Sequence, residues 1–175
     1  SIFKKEILHS CDLNDNNCKA ICQCNHGFSG EVCSINEEIM NSKQKARENV
    51  LSSLKNNVLG FSNTSTNITD SSTVNDMIIS LATIADSPYE LNSNSYILIS
   101  ETANLLLSTE NGVQEENSVG ILNALDSVLE SSGDIENNTM ITENLFLFTD
   151  LMVKNQVSGE IAKQYSTNSF TVKTE

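Results

Sequence analysis

Apolar residues recur at three- and four-residue spacing through most of the chain after residue 34, the pattern of helices that each bury one face. Ile39, Met40, Ala46, Val50, Leu51, Leu54 and Val58 outline an amphipathic helix over about 35–58. Ser34-Ile35-Asn36-Glu37 reads as its capping box, with serine at the N-cap and glutamate three residues on. Gly60 reads as its end. Residues 60–72 are polar and hydroxyl-rich, which predicts a loop. Asp70 or Ser72 then caps a second helix over about 73–86, with Val74, Met77, Ile78, Leu81 and Ile84 inward. Ser87-Pro88 breaks it, because proline disfavours helical geometry in the residue before it.

A third helix starts at Asn92 or Ser93 and runs to about 108, carrying Tyr96, Ile97, Ile99, Ala103, Leu106 and Leu107. Asn111-Gly112 turns the chain into a fourth, over about 115–131, with Val119, Leu122, Leu125, Val128 and Leu129. Ser132-Gly133-Asp134 turns it into a fifth, over about 136–154, with Met140, Ile141, Leu145, Phe148, Leu151 and Met152, and Gly159 ends that region. Five helices on short connections predict a mainly α antiparallel helical bundle. Ser169-Phe-Thr-Val-Lys-Thr174 alternates polar and apolar positions and predicts one terminal β-strand. Its sheet partner is expected beyond residue 175 or in another molecule. The chain holds one proline, Pro88, and no tryptophan, so the core must be aliphatic.

The first 33 residues break this pattern and change the picture. All five cysteines lie there, as Cys11-x6-Cys18-x3-Cys22-x-Cys24-x8-Cys33. Between the last two stands Asn25-His-Gly-Phe-Ser-Gly-Glu-Val32, in which Gly27 and Gly30 give the backbone freedom for tight turns and Phe28 offers one sizeable apolar face. The spacing resembles the second to sixth cysteines of an EGF-like module. Such a unit is too small to hold a core without covalent staples and belongs outside the reducing cytosol. The resemblance implies pairing of Cys11 with Cys22 and Cys24 with Cys33, leaving Cys18 over. Spacing alone does not fix connectivity, and the partner of Cys18 lies upstream of Ser1, lies in another chain, or is absent. Residues 1–33 are thus expected to be an incomplete EGF-like module within a longer protein, 34–159 the helical domain, and 160–175 a linker and strand leading into a further domain or partner.

Three segments of the helical region carry a second resemblance: Ile84-Ala-Asp-Ser-Pro-Tyr-Glu-Leu91, Leu151-Met-Val-Lys-Asn-Gln-Val-Ser-Gly-Glu160 and Ser169-Phe-Thr-Val172. Together they resemble polycystin and receptor-for-egg-jelly ectodomains where these run into a GAIN domain. The resemblance implies that 34–159 correspond to the GAIN helical subdomain and 168–175 to the first strand of the next. It also implies a place at a cell or cilium surface, in adhesion. This chain departs from the family in lacking the His-Leu-Ser/Thr motif of autoproteolysis, so self-cleavage is not assigned to it. The asparagine- and serine-rich composition resembles, by analogy, that encoded by AT-rich genomes such as a ciliate's.

Candidate sites are few. Asn63-Thr-Ser, Asn67-Ile-Thr and Asn137-Asn-Thr are sequons, each a place for an N-glycan in a secreted chain. Cys22-x-Cys24 is one residue short of a zinc pair and has no second pair. Asp12, Asn14 and Asn16 alternate like the start of a calcium loop, but Asn17 and Gln23 stand where that loop needs Gly and Glu. No metal or cofactor is expected. His9 and His26, with the acidic pairs Glu37-Glu38 and Glu115-Glu116, make no catalytic constellation, so no enzyme is expected.

A formal net charge of −13 argues against nucleic acid and anionic lipid as partners. No run of about 20 apolar residues could cross a bilayer, and Ser1-Ile-Phe-Lys-Lys5 is not a signal peptide. These readings converge on a non-enzymatic extracellular structural or adhesive segment of a large surface glycoprotein, such as part of a fibre or coat. Its expected partners are other protein domains or copies of itself. The alternatives are a receptor- or channel-type ectodomain that binds a ligand or transmits adhesion, and an intracellular helical protein with incidental cysteines.

Overall fold

The computed structural model describes residues 24–30, 32–63, 71–109, 115–132, 135–156 and 161–173. Five helices carry most of them: α1 (Glu37–Asn63), α2 (Ser71–Ala85), α3 (Ser93–Leu107), α4 (Glu115–Ser132) and α5 (Ile135–Asn155). A short antiparallel hairpin precedes them, β1 (Phe28–Ser29) with β2 (Ile35–Asn36). A second follows them, β3 (Gln164–Ser166) with β4 (Thr171–Lys173), in the register Gln164–Lys173, Tyr165–Val172 and Ser166–Thr171.

The apolar periodicity explains the packing. Leu51, Leu54 and Val58 of α1, Val74, Ile78 and Leu81 of α2, and Ile99, Ala103 and Leu106 of α3 all enter one core. Ile121, Leu122, Leu125 and Val128 of α4 join them, with Ile141, Phe148 and Met152 of α5. α1, α3 and α5 form one layer, α2 and α4 the other, and α3 touches all four of the rest. Direction follows from polar contacts along α1. Glu48 accepts from the Asn92 and Asn94 side-chain amides at the start of α3, and Lys55 reaches Glu101 about two turns further on. The two helices therefore run the same way, and α2, in the other layer, runs back so that Ile84 near its end meets Arg47. At the crossing of α2 and α4 a Cβ on Gly120 would come within 2.8 Å of Ile78 Cγ2, so only glycine permits this approach.

Several local boundaries follow the expected chemistry. Asn92 caps α3, its side chain accepting from the Ser95 amide at 2.8 Å, and Pro88–Glu90 form a single 3-10 turn after α2. Others differ. The capping box at Ser34 does not form, because Ile35 and Asn36 are drawn into the first hairpin. Asn36 caps α1 in its place, accepting from the Glu38 amide at 2.8 Å. Gly60 does not end α1; a Cβ there would meet open space, and the helix continues to Asn63.

Ile39, Ala46, Val50, Ile97 and Val119 lie at the edge of their apolar stripes and are exposed rather than inward. The terminal strand is not alone: β4 pairs with β3 of the same chain, because a two-residue loop at Asn168-Ser169 folds it back. The turns expected at Asn111-Gly112 and Gly133-Asp134, and the end at Gly159, lie outside the described residues.

Candidate functional site

The arrangement is one of anchorage, at three places. The first joins the cysteine segment to the bundle. Gly27 and Gly30 adopt φ of +85° and +89°, which lets the chain turn twice within a few residues. Cys24 and Cys33 are bonded, with Cα atoms 5.1 Å apart. β2 passes straight into α1, and the Glu37 amide donates to Gly27 O at 3.0 Å. The disulfide-closed hairpin is thus continuous with the longest helix.

The second place is a charged clamp. Glu90, on the 3-10 turn, accepts from Lys43 Nζ at 2.6 Å through Oε1 and from Arg47 Nε and Nη2 at 2.9 and 2.7 Å through Oε2. Arg47 Nη1 also donates to Ile84 O at 2.7 Å. The hydrogen bonds from Lys43, then Arg47, hold the Glu90 carboxyl below the usual carboxylate range, against an opposing push from burial. One arginine and one lysine of α1 thereby tie down the turn between α2 and α3.

The third place joins the second hairpin to the bundle. Asp126 of α4 is 7% exposed, and its carboxylate reaches the loop of that hairpin. It accepts from the Thr167 hydroxyl at 2.9 Å, the Ser169 amide at 2.9 Å and the Asn168 amide at 3.3 Å. Backbone donors that a tight turn leaves over are thus satisfied by a buried charge. On the hairpin's inner face Tyr165 meets Phe148 edge-on, centroids 5.6 Å apart, and Val172 is buried. A neighbouring polar contact braces α5 on α3: Asn144 Nδ2 donates to Ser100 O at 2.8 Å and its Oδ1 accepts from Asn104 at 3.0 Å.

Of the residues singled out in the sequence, the structure places Cys24 and Cys33 together in a disulfide. Cys11, Cys18, Cys22 and Asn67 lie outside the described residues, as do His9 and the alternating Asp12–Asn16 segment. Asn63 is the final residue of α1, and Asn137 falls in the first turn of α5. His26 and the pair Glu37-Glu38 are exposed.

Asp126 and Asn144 were missed. The signal was present: each sits on an apolar stripe, Asp126 between Leu122 and Leu129 and Asn144 between Ile141 and Phe148. A polar side chain at a core position needs a partner.

Among the described residues no three His, Cys, Asp or Glu gather where they could hold a metal, and no helix is long and apolar enough to cross a membrane. The surface carries shallow grooves. One of about 490 Å³ runs over α1, α3 and α5, beside the 2.7 Å contact of Lys55 with Glu101. Another, of about 290 Å³, lies between α5 and β4. No protein family, curated protein or solved structure matches the chain.

Proposed function

We propose that this chain is a non-enzymatic, extracellular structural or adhesive segment of a surface glycoprotein. In this reading an EGF-like cysteine module feeds a GAIN-type helical domain, and the pair transmits load between neighbouring domains. The observation that carries it is the continuity of the Cys24–Cys33 hairpin with α1. A covalently closed loop rigidly joined to a helix suits a spacer under tension better than a reacting site. The anchoring of both hairpins to one bundle supports the same role, since pull at either end reaches the core directly. Asn63 closes α1 and Asn137 lies in the first turn of α5, so two of the three sequons fall at helix ends, as glycan acceptors in a surface glycoprotein would.

The test is non-reducing peptide mapping by mass spectrometry of native material with its glycans intact. A linked Cys24–Cys33 peptide together with a glycan on Asn63, Asn67 or Asn137 is the expected result. Five free thiols and bare asparagines would overturn the extracellular reading.

A further inference from the structure

The groove between α5 and β4 is lined by Thr142, Leu145, Phe146 and Thr149 of α5 and by the consecutive residues 170–173, with no residue of β3. It therefore follows the edge of β4 turned away from β3. Among the described residues β4 has β3 as its sheet neighbour and none on the other side.

The hydrogen-bond pattern says what that edge offers. The Thr167 amide donates to Phe170 O and closes the hairpin, so bonded pairs alternate from there. Tyr165 and Val172 form the next inward-bonded pair, which leaves the backbone groups of Thr171 and Lys173 directed to the free edge. Phe146 stands over the same groove and is 69% exposed, on the flank where a third strand would lie. The groove's one charged residue is Lys173, on a chain of net charge −13.

We propose that this groove docks an extended strand from another polypeptide. That strand pairs with the free edge of β4, lays an apolar residue on Phe146 and sets an acidic residue against Lys173. The edge supplies backbone hydrogen bonds and the side chains supply selectivity, as in recognition by strand addition. A second copy of the chain is disfavoured as occupant because two bodies of the same strong negative charge repel. The inference rests on the groove and the strand edge alone and holds wherever the protein resides.

The probe is a fluorescein-labelled peptide, Glu-Val-Thr-Val-Thr-Val-Glu, titrated by anisotropy, with amide exchange of Thr171 and Lys173 followed by NMR. Saturable binding that slows exchange at both amides is expected. Phe146→Ser should weaken binding about tenfold or more through lost apolar contact. Thr171→Pro, which removes an outward donor and no ladder bond, should do the same while the thermal melt stays in place. Absence of saturable binding with unchanged exchange, or equal binding by both variants, would overturn the proposal. Self-association that Phe146→Ser abolishes would also overturn it, by making a second copy the occupant.

Discussion

The two hairpins of this protein are alike in size and opposite in how they are held. A two-stranded sheet is marginal in water by itself, so each must draw its stability from elsewhere. β1–β2 relies on a covalent bond. Cys24 and Cys33 close it, Phe28 is 53% exposed, and its contact with the bundle is the start of α1. β3–β4 relies on the core: Val172 is buried, Tyr165 rests on Phe148, and Asp126 holds the loop. The first hairpin should answer to redox conditions and the second to packing. The same secondary structure thus reports on two different kinds of stabilisation.

The largest effect should come from Phe148→Ala. It removes a fully buried ring and the edge contact with Tyr165, at a cost of about 3–5 kcal/mol. Urea denaturation followed at 222 nm would measure it. A loss under about 1 kcal/mol would mean that β3–β4 is not coupled to the core.

Asp126→Ala should follow, at roughly 2–3 kcal/mol, because it removes the carboxylate that accepts from the Ser169 amide and the Thr167 hydroxyl. Proteolysis between α5 and β4 should accelerate in parallel, whereas cleavage near β1–β2 should not. Gly120→Ala is expected to cost about 1–2 kcal/mol. Crowding of Ile78 by the new methyl outweighs the gain in helix propensity. Normal stability in that variant would show that α2 and α4 can part freely.

Glu90→Gln sharpens the comparison by adding pH. The folded-state pKa of Glu90 is lowered, so its contribution is complete above the unfolded-state value and is lost as pH falls toward the folded one. The variant should lose at most about 1 kcal/mol at neutral pH, since Lys43 is 45% exposed and solvent screens the pair. Once the pH has fallen through the lowered folded-state value the two proteins should converge. Denaturant midpoints that stay equally far apart as the pH is lowered from neutral until the carboxyl is protonated would contradict the charged clamp.

The smallest effect on the bundle should come from reducing Cys24–Cys33. That loosens a short loop worth about 2–3 kcal/mol to its own closure while leaving the helical melt within about 0.5 kcal/mol of the oxidised protein. A collapse of helical signal on reduction would erase the distinction between the hairpins.

Much of the bundle can be read from residue order because burial imposes period on a helix. Leu51, Leu54 and Val58, or Leu122, Leu125 and Val128, mark their buried faces without further help. Asn92 and Pro88 mark boundaries for equally local reasons, a cap and a missing donor. What cannot be read this way depends on contacts far along the chain. Ile35 belongs to a strand because Phe28–Ser29 lies beside it, although its immediate neighbours spell a helix start. β4 finds β3 because a tight loop is completed by Asp126, about 40 residues earlier in the chain. Ile97 and Val119 look inward by spacing, and only the placement of neighbouring helices decides that they face out.

The shared direction of α1 and α3 has a kinetic side. Their polar links join residues 44 to 47 apart in sequence: Glu48 with Asn92, Lys55 with Glu101, Gln44 with Leu91. A helix pair of this kind cannot assemble until the whole of α2 has been made and turned back, so closing a long loop precedes any return from packing. Refolding should therefore be slower than in a bundle whose helices meet only their immediate successors. On the ribosome, α1 must wait for α3 to emerge before its inner face is covered.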